Sequence, residues 1–147
     1  MLPSSSQEAN QPYQGSCLCQ KVQFRATRFA PEIGHCHCTD CRKFHGAAFS
    51  TFVEVPTDNF QWLCGEEFVK QFVADNGSIR QFCSHCGSSL TFTAKHSKEK
   101  SIEVALALFD TSPPLQPDAH IFMRSKVPWI DIADKLPCYT ANRIAKS

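Results

Sequence analysis

Seven of the nine cysteines in this chain fall into three tight clusters. The first is Cys17-Leu18-Cys19. The second is Cys36-His37-Cys38-Thr39-Asp40-Cys41, and the third is Cys83-Ser84-His85-Cys86-Gly87. Residues two apart in an extended segment point to one face, so Cys17 and Cys19 can aim at a common ion. A Cys-x-x-Cys turn brings two sulfurs onto one metal, and Gly87 lets the backbone curl around them without a Cβ. One such pair also fits a redox dithiol. Two pairs plus a Cys-x-Cys in so short a chain point to thiolate–metal chemistry.

Zinc takes four ligands, and a structural site is closed by all four. Seven cysteines make one closed site and one with a vacancy. Cys36, Cys38 and Cys41 can chelate an ion from a single loop. Cys17 with Cys19 and Cys83 with Cys86 come from distant parts of the chain and would staple its strands. An open fourth position is what a reactive zinc keeps, so the count points to one structural and one reactive ion. The alternative is that His35, His37, His45, His85 or Cys64 closes the second site. Cys64 and Cys138 lack partners in sequence and read as inert, buried thiols. Asp40 reads as a residue that caps the knuckle turn.

The elements that must carry these clusters are mostly short strands. Val22, Phe24 and Ala26 alternate with Lys21, Gln23 and Arg25, the period of a half-buried strand. Similar runs cover Phe49 to Val55, Phe68 to Val73, Ile79 to Phe82, Leu90 to Thr93, Ile102 to Leu108 and His120 to Met123. Asn76-Gly77 marks a hairpin. Single helical turns are expected at Thr39–Phe44 and Ile130–Asp134. The class is mainly β with little helix. Residues 1–12 are polar, carry two prolines and read as a loose tail. Residues 13–147 carry no dividing linker and read as a single domain.

Composition excludes several functions. The 147 residues carry 15 Lys plus Arg against 14 Asp plus Glu, a net charge of +1, which argues against a nucleic-acid binder. No apolar stretch approaches the roughly 18 residues of a membrane span. The N-terminus has no basic start followed by an apolar run, so no secretory signal is expected. An odd number of cysteines without an export signal fits a reducing, cytoplasmic setting and metal sites over disulfides.

Three segments carry a resemblance. Gly15-Ser16-Cys17-Leu18-Cys19-Gln20-Lys21-Val22-Gln23-Phe24 is similar to the opening Gly-x-Cys-x-Cys-Gly-x-Val-x-Phe of the glutathione-dependent formaldehyde-activating enzyme family, which also contains the centromere protein V domain. Cys36 through Cys41 with Arg42 resembles its central Cys-x-Cys-x-x-Cys-Arg segment, and Phe82 through Leu90 resembles its third. The stretch from His120 through Trp129 to Pro137 also fits. One departure is Gln20, where the family usually has Gly.

The resemblance implies an Mss4-like fold of β-sheets stapled by zinc. It implies that Cys17, Cys19, Cys83 and Cys86 hold a structural zinc and that Cys36, Cys38 and Cys41 hold a second, labile one. The implied activity is that of a carbon–sulfur lyase, adding glutathione to formaldehyde to give S-hydroxymethylglutathione, with another small thiol or aldehyde as a variant. On this reading His45 or His37 serves as proton donor, Arg42 and Lys43 offer charge to the thiol's carboxylates, and Phe44, Phe49 and Trp129 wall the pocket. The alternatives are a zinc-stabilised binding module of the centromere protein V type without catalysis, a zinc-ribbon nucleic-acid binder, and a redox enzyme using Cys64 or Cys138. No membrane partner is expected, and oligomeric state is not legible.

Overall fold

The computed structural model describes residues 12–143. The expected tail, residues 1–12, lies outside the described residues except for Pro12. Among the described residues ten strands form two sheets, the smaller antiparallel and the larger mixed. The smaller sheet has the order β1 (Tyr13–Ser16), β2 (Gln23–Ala26), β5 (Phe60–Cys64). The larger runs β10 (Ala119–Ile121), β3 (Ile33–Cys36), β4 (Ser50–Pro56), β9 (Ser101–Ala105), β8 (Ser89–Thr93), β7 (Ile79–Cys83), β6 (Val69–Val73). Its one parallel pairing joins β10 to β3. Among the described residues the single α-helix is α1 (Thr39–His45). None of them forms a helix long and apolar enough to cross a membrane.

Alternation along the strands sorts the larger sheet into two faces. Ile33, Val53 and Val104 point toward the smaller sheet and pack on Phe24, Ala26 and Phe109, with Phe60 and Trp62 at the margin. Phe24 is the hub, meeting Phe60, Trp62 and Phe109 at ring-centre distances of 5.6, 6.2 and 5.3 Å. The opposite face carries Phe52 and Ala105, covered by Cys41 and Phe44 of α1. That second face is where one cysteine group lies.

Several local expectations differ from the structure. Strand β9 ends at Ala105, and Leu106–Leu108 tighten into a 3-10 turn that lets Phe109 enter the core. The segment expected to turn helically at Ile130–Asp134 is irregular. Cys64 and Cys138 are exposed rather than buried. Cys64 ends an edge strand, and both thiols lean on a nearby carbonyl, those of Lys21 and Leu136. Cys17-Leu18-Cys19 is a turn and not an extended segment, closed by Gln20 N–H donating to the Cys17 carbonyl at 3.0 Å.

Gln20 has φ +67°, in the left-handed region that favours glycine. The family's usual Gly at this position therefore has a backbone reason. A non-glycine residue there costs roughly 1–2 kcal/mol, while glycine costs roughly 0.5–1 kcal/mol in chain entropy. Gln20→Gly is expected to leave the fold unchanged or stabilise it by up to about 1 kcal/mol. Thermal melting checks this, and a clear loss of stability would mean the Gln20 side chain holds something in place.

Candidate metal centres

The turn between β1 and β2 supplies Cys17 and Cys19, and the turn between β7 and β8 supplies Cys83 and Cys86. Their four sulfurs lie within 4.8 Å of one another. Cys17 Sγ is 3.5 Å from Cys19 Sγ, which in turn is 3.9 Å from Cys83 Sγ. Cys17 and Cys83 are buried beside Val22 and Leu90. The group joins the smaller sheet to the larger, so whatever it binds fastens one layer to the other. Gly87, at φ +83°, closes the second turn, with its N–H donating to the Cys83 carbonyl at 2.7 Å. Desolvation pushes the Cys86 thiol up, but hydrogen bonds with the side chain of Ser88, at 3.3 Å, with the backbone of Ser88 and Cys19 and with Cys83 together outweigh it and hold the group down at about 5.

The second group is local. Cys36 ends β3, Cys38 is the N-cap of α1, and Cys41 lies in its first turn. Their three sulfurs again lie within 4.8 Å of one another. The Cys38 sulfur accepts from Cys41 N–H at 3.3 Å, so the cap that starts the helix also sets the loop. Gly46, left-handed at φ +61°, ends the helix, its N–H donating to the Arg42 carbonyl. Hydrogen bonding with Cys36 and Cys41 drives Cys38 down to about 2, while sharing with Cys38 and Cys41 drives Cys36 up. Three sulfurs compressed around one point resist holding three protons, and a metal ion relieves this. All-sulfur donor sets suit zinc and similar thiophilic ions. Among the described residues no histidine nitrogen joins either group.

The reason lies in alternation. Cys36 and Cys38 turn to the α1 face, so His35 and His37 turn to the other. There they meet His120 of β10. The His37 Nε2 and His120 Nδ1 are 2.9 Å apart, and His120 Nε2 lies 2.9 Å from Asp134 Oδ2. With Asp134 ionised, His120 donates from Nε2 and accepts at Nδ1 from His37. Burial first, then neighbouring His120, lowers His37 to about 4. Phe49 fills the space between these rings. His37 and Phe49 thus pack behind the three-cysteine loop, on the face away from α1. Trp129 is 70% exposed.

His45 is on the same face as the three cysteines. Its ring lies 5.0 Å from Phe52 and 5.1 Å from Phe44, and its Nε2 is buried without a partner. Burial, then Arg80, lowers its pKa, so the ring is neutral. An open groove of about 560 Å³ runs from His45 and Lys43 to Gly87 and Ser88, linking the end of α1 to the four-cysteine turn. Lys43 lines it. Arg42 instead folds back, with Nη2 donating to Thr39 Oγ1 at 3.3 Å.

Arg80 of β7 is a functional candidate that motif spacing does not reveal. Its Nη1 and Nη2 donate to Cys41 Sγ at 3.9 and 3.8 Å. A signal did exist: Arg80 is the sole charged residue between Asp75 and Lys95, inside a strand beside a cysteine turn. Glu103 lies on the same face, in register with Glu54 across the sheet. Burial, reinforced by Glu54, pushes its carboxyl up to about 7, against the pull of Arg80.

The model of the family described as glutathione-dependent formaldehyde-activating enzyme matches residues 12–125. The chain belongs to that family. The match covers both cysteine groups and every strand of the fold. Among relatives, an uncharacterized lyase of Schizosaccharomyces pombe is 26% identical over 137 residues, covering 92% of this chain and 96% of the relative. A Halomonas elongata protein named as a candidate glutathione-dependent formaldehyde-activating enzyme is 27% identical over 130 residues, 83% of this chain and 82% of its own. A crystal structure of a Rhodobacter sphaeroides protein shares the fold, with TM-score 0.58 and 18% identity over 69% of this chain and 91% of that one. The family and the mainly-β, Mss4-like fold agree with the reading of the sequence.

Proposed function

We propose that this family member is a zinc-dependent carbon–sulfur lyase that adds glutathione, or a similar small thiol, to formaldehyde or another small aldehyde. The observation that carries the reading is the division of seven cysteines into a four-sulfur group between the sheets and a three-sulfur group at the start of α1. The names of the relatives support the reaction class. On this reading Cys17, Cys19, Cys83 and Cys86 hold a structural zinc. Cys36, Cys38 and Cys41 hold a labile, reactive one. Residues 13–147 work as one domain, in the cytoplasm, on small molecules and without nucleic acid.

A zinc ion at the three-cysteine site would supply a soft centre that favours the deprotonated form of a substrate thiol. The rest falls to the chain's own side chains. His45, neutral and with an unpartnered Nε2, takes the thiol proton. The sulfur then attacks the aldehyde carbon, one C–S bond forms, and the carbonyl π pair moves to oxygen. His45 returns the proton to that oxygen, giving the S-hydroxymethyl product with atoms and charge balanced. Lys43, on the groove, meets a carboxylate of the thiol. Phe44 and Phe52 keep bulk water from the ring of His45.

The test is exchange spectroscopy on formaldehyde–glutathione mixtures, which detects acceleration even over a fast uncatalysed equilibrium. The wild-type protein is expected to speed the exchange, and Cys38→Ser to match the protein-free rate. Equal rates for the two proteins would end the formaldehyde reading and favour the binding-module alternative.

A further inference from the structure

We propose that Arg80 is the specificity-determining residue of the three-cysteine site, a fixed positive charge that makes the site favour an anionic sulfur ligand over a neutral one. The inference rests on the metal-site reading above and adds a residue to it. Arg80 is buried. Its guanidinium is sandwiched, with its carbon 4.6 Å from the centre of the Phe92 ring and 5.2 Å from that of Phe44. Both terminal nitrogens aim at Cys41 Sγ. Among the described residues none of the ion pairs includes it.

A buried cation without a carboxylate is costly unless an anion compensates it. Two aromatic faces offset part of that cost, since a ring quadrupole attracts a cation. The remaining partner is the sulfur cluster itself. Three thiolates around one divalent ion sum to a single negative charge, which Arg80 matches. A thiol that arrives and loses its proton takes the site to one net negative charge with Arg80 in place, and to two without it. A neutral ligand brings no charge and gains nothing from it. A unit charge this close, partly shielded from water, changes the anion's affinity roughly 10- to 100-fold.

The arrangement is set by cross-strand register. Arg80 pairs with Phe92, and Phe92 with Glu103, so guanidinium and ring stand side by side on the face that α1 covers. Glu103, the nearest acid along that row, is more than a salt-bridge distance away, so the forked donor is free for sulfur.

The experiment uses the full chain loaded with cobalt in place of zinc, with cobalt-loaded Cys38→Ser as the spectral blank. Mercaptoethanol, whose only anion is its thiolate, and imidazole, a neutral ligand, are each titrated against the cobalt–sulfur absorption. Arg80→Met keeps the bulk and the ring contacts and removes the charge. It is expected to weaken mercaptoethanol binding about 10- to 100-fold while leaving imidazole binding within about twofold. Arg80→Lys is expected to keep a mercaptoethanol-to-imidazole affinity ratio near that of wild type. An unchanged ratio in Arg80→Met overturns the proposal, as does parallel weakening of both ligands. If Arg80→Met fails to fold, a ratio in Arg80→Lys as low as that of a neutral Arg80→Gln protein overturns it. Failure of the wild-type protein to show any cobalt signal above the blank would instead remove the metal-site reading on which the inference stands.

Discussion

Cys83→Ser is expected to give insoluble or largely unfolded protein, whereas Cys38→Ser is expected to remain folded and to lose one metal. Cys83 is fully buried at the end of β7, in contact with Cys17, Val22 and Leu90. Its group draws two ligands from the turn of the smaller sheet and two from the larger, residues more than sixty apart. Metal binding there is also folding: structural zinc contributes roughly 10–16 kcal/mol in small zinc domains, against about 5–15 kcal/mol of total stability for an ordinary one. The first is as large as the second, so losing most of it removes the margin that keeps the chain folded. Cys17→Ser should behave like Cys83→Ser, since its sulfur also accepts from Val22 N–H. Cys38 is different. Serine is a good N-cap, so it can keep the hydrogen bond from Cys41 N–H that starts α1. Solubility and circular-dichroism melting of the purified variants decide the matter. Similar melting temperatures for Cys83→Ser and Cys38→Ser would contradict the division of roles.

Why the cysteine groups were legible in the sequence and their surroundings were not is a question of range. Cys-x-x-Cys spacing fixes a local turn, so Cys83 and Cys86, or Cys38 and Cys41, converge whatever the remainder of the chain does. The hairpin at Asn76-Gly77 was legible for the same reason: Gly77 sits at φ +90°, and the Asn76 side chain accepts from Ser78 N–H. Strands with alternating side chains, such as β4 and β7, were readable because one face meets a core. Strand β3, Ile33–Cys36, was not, because Ile-Gly-His-Cys has no apolar alternation. Its stability comes from β4 on one side and β10 on the other, both tertiary effects. Strand β5 was hidden because Leu63 and Cys64 at its end look apolar in sequence yet are exposed, which breaks the alternation.

The histidines show the same limit. Position in the Cys36–Cys41 knuckle makes His37 look like a ligand or a proton donor. Alternation sends it to the opposite face, where it meets His120, 83 positions away, which in turn bonds Asp134. His45, outside the knuckle, comes to the face of the three cysteines only because α1 folds back over β4, bringing its ring against Phe52. Arg80 depends on the register of β7 with β8, which no short pattern encodes.

Mild chelation is expected to take purified protein from close to two zinc ions per chain to close to one, with loss of formaldehyde–thiol exchange and little change in melting. The four-cysteine ion would have to leave sulfurs shared between two sheets, two of them buried, so its departure carries the cost of separating the layers. The three-cysteine ion would leave one loop. Cys36 and Cys38 are partly exposed there, so a small chelator can reach them, and with three protein ligands the hold is weaker than with four. After that ion leaves, α1 keeps its cap at Cys38, its Gly46 end and its packing on Phe52. A shift of only a few degrees in melting is therefore expected, because a change of about 1 kcal/mol moves a domain of this size by roughly 2–8 °C. Returning zinc should restore exchange, since nothing else was lost. Elemental analysis, melting and exchange on the same sample check the three parts together. Removal of all metal without unfolding would show that neither cysteine group staples the sheets. Joint loss of both ions with the fold would show that the three-cysteine ion is structural too, and the reactive role assigned to Cys36, Cys38 and Cys41 would fall.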